Sequence, residues 1–180
     1  MPNYRRNYIA GGTYFFTLVT FHRRKYFDTS ERLDHLLSII RQVQRSKPFN
    51  LIAYRLLPDH IHLLVKLPEV DSNYSIRMRE IKRLSTTWMR TELNANVDRI
   101  WQDKYWEHTI RDERDLQIHF DYIHYNPVKH GLMETFDGWK WSSFRSYFDE
   151  NHDVRRLIQN NSKNTVMVLV NRKYDGVTKF

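Results

Sequence analysis

Two strand-like runs, FNLIAYRLL (49–57) and HIHLLVKL (60–67), stand in the chain with only Pro58-Asp59 between them. So short a break leaves the runs one simple way to meet, as an antiparallel hairpin. Side chains of a strand alternate faces. In the second run Ile61, Leu63, Val65 and Leu67 therefore share a continuous apolar side, and His60, His62, Leu64 and Lys66 share a mixed, half-exposed one. The apolar side requires a core packed against it. The mixed side carries two imidazoles projecting together from one rigid element.

The flanks supply that core. TYFFTLVTF (13–21) is aromatic and β-branched, follows Gly11-Gly12, and reads as a buried strand. SERLDHLLSIIRQVQRSK (30–47) places Leu33, Leu36, Leu37, Ile40 and Val43 at helical spacing, with Ser30 as N-cap and Glu31 in the first turn. From 74 to 93, Tyr74, Met78, Ile81, Leu84 and Trp88 fall on one helical face, with Arg79, Arg83 and Arg90 opposite. DKYWEHTIR (103–111) predicts a fourth strand, and DERDLQIHFDYIHYN (112–126) a further helix capped by Asp112. PVKHG is expected to end that helix, because proline cannot continue the ladder and Gly131 suits a terminus. The order β-α-β-β-α-β plus a helix predicts an α+β fold, a ferredoxin-like split βαβ sandwich. Its antiparallel sheet would carry two helices on one face and leave the other free for a site, with the last helix as an addition.

At 180 residues and 41% hydrophobic content the chain can bury one sizeable core. One domain is expected over 1–148. The composition turns polar after WKWSSFRSYF (139–148), so 149–180 reads as a C-terminal tail with no assigned role. The 29 Lys and Arg against 21 Asp and Glu give a net charge of +8, which favours a polyanionic partner, the alternative being an ordinary solvated basic surface. Zero cysteines exclude disulfides and thiolate metal sites. No stretch approaches the ~20 apolar residues that span a bilayer, and MPNYRRNYIAGG lacks a signal peptide's apolar run. A cytoplasmic protein without membrane association is expected.

Neutral imidazole binds divalent transition metals, and paired histidines on one strand face can supply two ligands. On the 112–126 helix Tyr122 and Asn126 are i and i+4, with His119 and Asp115 on the same stripe and Leu116, Phe120 and Ile123 on the adjoining apolar one. Tyr122 is then a candidate nucleophile and Asn126 a candidate oxygen ligand to the metal that the histidines hold. Each feature alone has an ordinary explanation, a satisfied polar histidine or a tyrosine packed by its ring. Tyr125 is the rival nucleophile, but it is offset from Tyr122 by about 60° round the helix and lacks an amide at i+4.

Together the motifs resemble a family. HIH within LPDHIHLLV, DYIHYNPVKHG about sixty residues later, and then WSSFRSY are similar to the HUH single-tyrosine (IS200-like) transposases, named for His, a bulky hydrophobe, His. More narrowly the chain resembles the REP-associated tyrosine transposases, bacterial enzymes that act on repetitive extragenic palindromes. YRRNYIAGGTYFFTLVTF and IWQDKYWEHTIRD also fit, so the resemblance covers about residues 4–148. It implies a metal-dependent single-stranded DNA endonuclease and strand transferase, active in DNA transposition. Its intermediate would be a 5′-phosphotyrosine on Tyr122, with His60, His62 and Asn126 holding Mg2+ or Mn2+. It also implies a DNA hairpin substrate beside a short single-stranded guide, in a bacterial cytoplasm.

The residue types suit that chemistry. Tyrosine has a free pKa near 10, and a phosphodiester repels an approaching oxyanion, so a metal that withdraws charge from the phosphate answers the second difficulty. Arg5, Arg6, Arg23, Arg24, Lys25, Arg79, Arg83 and Arg90 are candidate DNA backbone contacts, and Tyr4, Trp101, Tyr105 and Trp106 candidate stacking platforms. The alternatives are a non-catalytic nucleic-acid-binding module on the same frame, or a replication nickase of the HUH class. A monomer is expected, because few residues around Asp112 join the fourth strand to the catalytic helix. Larger relatives, which exchange that helix between subunits, imply a dimer as the other possibility.

Overall fold

The computed structural model describes residues 6–94, 97–129 and 139–148, with the side chains of 125–129, 145 and 148 left undescribed. The element order is β1 (Thr13–Val19), α1 (Ser30–Ser46), β2 (Asn50–Leu56), β3 (His60–Lys66), α2 (Tyr74–Glu92), β4 (Trp106–Thr109), α3 (Glu113–Lys129) and a short α4 (Phe144–Phe148). The four strands form one sheet in the order β2-β3-β1-β4, with every pair antiparallel. This is the expected split βαβ sandwich. Among the described residues no helix is long and apolar enough to cross a membrane.

The strands alternate as the sequence demands. Tyr14, Phe16 and Leu18 of β1 and Ile61, Leu63 and Val65 of β3 enter one core with Leu36, Ile40 and Val43 of α1 and Met78, Ile81 and Met89 of α2. Each such buried side chain contributes roughly 1.5–3 kcal/mol, so shared burial fixes α1 and α2 on this face of the sheet. Phe15, Ala53, Leu64 and Ile123 form a second cluster on the opposite face. That face is therefore not left free. The added helix α3 lies on it, over β2 and β3.

A bulge in β2 sets which residues look at α3. Leu51 pairs with Val65 but Ala53 pairs with Leu64, so Ile52 is an extra residue. The pairing parity flips there. Beyond it Tyr54 and Leu56 face the main core, and Arg55 stands across from His62. The outer edge of β2 is covered by residues 139–143. Leu56 N donates to Trp141 O at 2.9 Å, Ser143 N to Tyr54 O at 3.1 Å, and the Trp139 indole to Leu56 O at 2.6 Å.

Three local expectations are corrected. The α1 cap is Thr29, whose side chain accepts from Arg32 N, and Ser30 is the first helical residue. On α2 the deeply buried positions are Tyr74, Arg77, Met78, Ile81, Ser85 and Met89, while Leu84 and Trp88 pack only at the margin of the core. Trp88 stacks on His35 of α1, with ring centroids 4.0 Å apart. Finally, α3 does not stop at Asn126 but passes through Pro127 to Lys129. Asp112 does cap α3, accepting from Asp115 N at 2.8 Å. Gly131 and residues 149–180 lie outside the described residues.

Candidate active site

The sheet presents a row of side chains to α3. Arg55 of β2, His62 of β3, Thr17 of β1 and Trp106 of β4 are successive cross-strand neighbours. The next row on the same face is Ala53, Leu64, Phe15 and His108. Every residue that the site needs from the sheet thus comes from one parity of each strand.

His60 and His62 are brought together as the spacing requires, with ring centroids 4.9 Å apart and planes at 81°. They are not half-exposed: His60 is 6% and His62 2% accessible, because the covering helix closes over this face. Each ring is oriented through its Nδ1. That of His60 lies 2.6 Å from Asp59 Oδ1, and that of His62 2.9 Å from Thr17 Oγ1. A carboxylate only accepts, so His60 carries its proton on Nδ1 and turns the Nε2 lone pair toward any ligated ion. Asp59 also receives Arg23 at 3.0 Å. Burial works against the charged form of Asp59, but hydrogen bonds from His60 and Arg23 hold its carboxyl below the usual range. Sequence reasoning missed Asp59 and Thr17. The signal for Asp59 was its place directly before His60 in the turn.

Tyr122 of α3 meets this pair. Its ring lies 5.2 Å from that of His62 and 5.8 Å from Phe15, edge-on to both, and the residue is 41% exposed. The helix continues through 126, so the i, i+4 relation between Tyr122 and Asn126 holds in the backbone. The Asn126 and Tyr125 side chains, and Arg5 and Tyr4 entirely, lie outside the described residues.

One turn earlier on α3 sits a second group. His108, Asp115 and His119 bring their ligand atoms within 4.8 Å of one another, a spacing that a metal ion could bridge. In this structure Asp115 accepts from His108 Nε2 at 2.8 Å, from Arg111 N and Nε at 3.1 Å each, and lies 3.2 Å from His119 Nδ1. Burial works against the Asp115 anion, yet these donors bring its carboxyl down to about 2. Burial also pushes the His119 imidazole down, keeping it neutral, with Nδ1–H donating to Asp115 O at 2.8 Å. His108 was missed because a lone histidine in a weak strand carries no local signal.

The candidate DNA contacts divide by position. Arg23, Arg24 and Lys25 are exposed on the turn after β1, whose Thr20 N and Oγ1 both donate to Asp59 O, beside the His60 end of β3. Trp106 shares the sheet face with His62 and is 50% exposed. By contrast α2 packs on the far face, which separates Arg79, Arg83 and Arg90 from the histidines. Arg83 forks onto Glu80, and Arg90 donates to Val97 O and Asp98 O. Arg6 bonds the Tyr105 hydroxyl at 2.7 Å and Ser75 at 3.0 Å. Trp101 is no stacking platform: it is buried, with its indole N–H donating to Ser85 Oγ at 2.8 Å.

Comparison with known proteins points to one family. Residues 8–126 match the family model described as transposase, IS200-like. A protein of Haemophilus influenzae provisionally named a REP-associated tyrosine transposase is 45% identical over 152 residues, which cover 80% of this chain and 86% of the relative. The REP-associated tyrosine transposase of Escherichia coli K12 is 41% identical over 144 residues, covering 80% of this chain and 83% of its own. Among solved structures, a REP-associated tyrosine transposase bound to a REP hairpin superposes with a TM-score of 0.71 at 39% identity, over 83% of this chain and 87% of that one.

Proposed function

Because the chain belongs to the IS200-like transposases, in the REP-associated tyrosine transposase group, we propose that it cleaves and rejoins single-stranded DNA at REP-type hairpins through a tyrosine adduct. The observation that carries this reading is the placement of the Tyr122 ring against His62 of an oriented histidine pair.

The Tyr122 hydroxyl attacks the phosphorus of a DNA phosphodiester. The new bond is Oη–P, the bond that breaks is P–O3′, the phenol loses its proton to solvent and the departing 3′-oxygen gains one. The product is a 5′-phosphotyrosine and a free 3′-hydroxyl. That linkage conserves the phosphodiester's energy, so a second 3′-hydroxyl can reverse the step onto another strand. A hydrolase would lose this option.

The histidine pair fits a divalent cation, Mg2+ or Mn2+. Two imidazoles from a rigid strand have their Nδ1 atoms engaged by Asp59 and Thr17, so Nε2 of each would be the ligand atom, and Asn126 would add an amide oxygen. When bound, the ion withdraws charge from a non-bridging phosphate oxygen. The cluster of His108, Asp115 and His119 serves instead as a clasp between β4 and α3, because Arg111 already neutralises its carboxylate. Trp106 stacks a base beside the scissile phosphate, and Arg24 and Lys25 hold the strand near His60. Incubating the protein with a labelled hairpin oligonucleotide and Mg2+ or Mn2+ should yield a denaturation-resistant adduct. A binding module yields none.

A further inference from the structure

Arg55 is fully buried in the strand next to His62, and its guanidinium meets no carboxylate among the described residues. Its Nε donates to Ile123 O at 3.0 Å and its Nη2 to His124 O at 2.7 Å, both backbone carbonyls of α3. Nη1 is buried without a hydrogen-bond partner among the described residues. Burial lowers the group to about 10, so it stays charged at neutral pH. An uncompensated buried cation is costly, and a chain retains one where its donors are needed.

The need is written in the helix. In an α-helix Ile123 O receives the N–H of residue 127, and here residue 127 is proline, which has none. Arg55 Nε occupies the place of the missing donor. The planar guanidinium reaches two successive carbonyls at fixed spacing, which a flexible ammonium does not reproduce. The β2 bulge at Ile52 is what brings Arg55 to this face.

We infer that Arg55 is a positioning residue for Tyr122: from the strand beside His62 it supplies the hydrogen bond that Pro127 withholds, and so fixes the register of the catalytic helix over the histidine pair. This role presupposes Tyr122 as the nucleophile, as proposed above. Neighbouring contacts act in the same sense, since His124 bonds Phe120 O at 2.9 Å and Ser143 Oγ at 2.9 Å.

The test compares the full chain with its Arg55→Met, Arg55→Lys, Pro127→Ala and Arg55→Met/Pro127→Ala variants. The readouts are single-turnover adduct formation at saturating hairpin DNA, DNA affinity and thermal unfolding. Both Arg55 variants should slow adduct formation by roughly 10²-fold, the loss that an ångström-scale misplacement brings. Their Kd should stay within about threefold, because phosphate contacts dominate affinity. Pro127→Ala should react nearly as wild type, and in its background Arg55→Met should recover at least about tenfold, since the alanine N–H reaches Ile123 O. Equal losses in both backgrounds, or rate and affinity falling in parallel, would overturn the inference. Should Arg55→Met fail to fold, Arg55→Lys, which keeps the charge, carries the same comparison. Absence of any adduct from wild type would fail the Tyr122 reading instead. The coupling between Arg55 and Pro127 through the Ile123 carbonyl is then read from Tm alone, where non-additive shifts support it and additive ones overturn it.

Discussion

The carboxylate of Asp59 stands 2.6 Å from Nδ1 of His60 and accepts a hydrogen bond from it, so the first residue of the HIH motif is aimed by the residue before it. Removing an outer-shell partner of a metal-binding histidine typically costs about 10–100-fold in metal affinity. Asp59→Ala is accordingly expected to raise the Mn2+ concentration for half-maximal adduct formation by that factor, while His60→Ala or His62→Ala abolishes the adduct and leaves most DNA affinity. Metal titration of adduct yield checks both. An unchanged midpoint in Asp59→Ala would deny the carboxylate its orienting role.

The Asp115 clasp should be visible in the acid limb of stability. Its carboxyl is held at about 2 against an ordinary 3.8, so its stabilisation is fully present above the ordinary value and is lost as pH falls from 3.8 towards 2. Asp115→Asn is expected to cost roughly 1–3 kcal/mol at pH 7, through donors of His108 and Arg111 left without an anion. The gap from wild type should close between about pH 4 and pH 2. Denaturant unfolding at several pH values measures it. Metal affinity that collapses in Asp115→Asn and survives in His60→Ala would move the metal to the clasp.

Two tryptophans close in sequence should separate cleanly. Trp106, half-exposed beside the site, is expected to lose about 1–3 kcal/mol of single-strand affinity on replacement by alanine, with unfolding little changed. Trp101 packs on Phe27 and bonds Ser85, so Trp101→Ala should cost about 3–5 kcal/mol of stability. Oligonucleotide titration and thermal melts distinguish them, and the reverse pattern would refute the assignment of Trp106 to DNA.

The sandwich was legible because burial writes itself as periodicity. The alternation of Ile61, Leu63 and Val65 against His60 and His62 fixed both the core side and the site side of β3. What stayed hidden depends on single-residue shifts and on partners distant in the chain. The Ile52 bulge inverts the parity of β2 and has no marker residue, so Arg55 gave no hint of facing His62. Pro127 read as a stop because local rules assign it that role, and a donor from another strand overrides them. Arg83 and Arg90 looked like a binding face on the helical wheel, yet the far side of the sheet and their own acceptors take them from the histidines. Of the two candidate nucleophiles, only Tyr122 has a described side chain, and its ring lies against that of His62.

The central claim is that Tyr122 is the covalent link to DNA, and its phenolic oxygen can be removed while its ring remains. Adduct formed with a hairpin oligonucleotide and Mn2+, digested by protease and sequenced by mass spectrometry, is expected to carry a nucleotide on residue 122 through the DNA 5′-phosphate. Tyr122→Phe should give neither adduct nor strand transfer while binding DNA as wild type does, and Tyr125→Phe should react nearly as wild type. A nucleotide on Tyr125, or cleavage that persists in Tyr122→Phe with water as the nucleophile, would contradict the account.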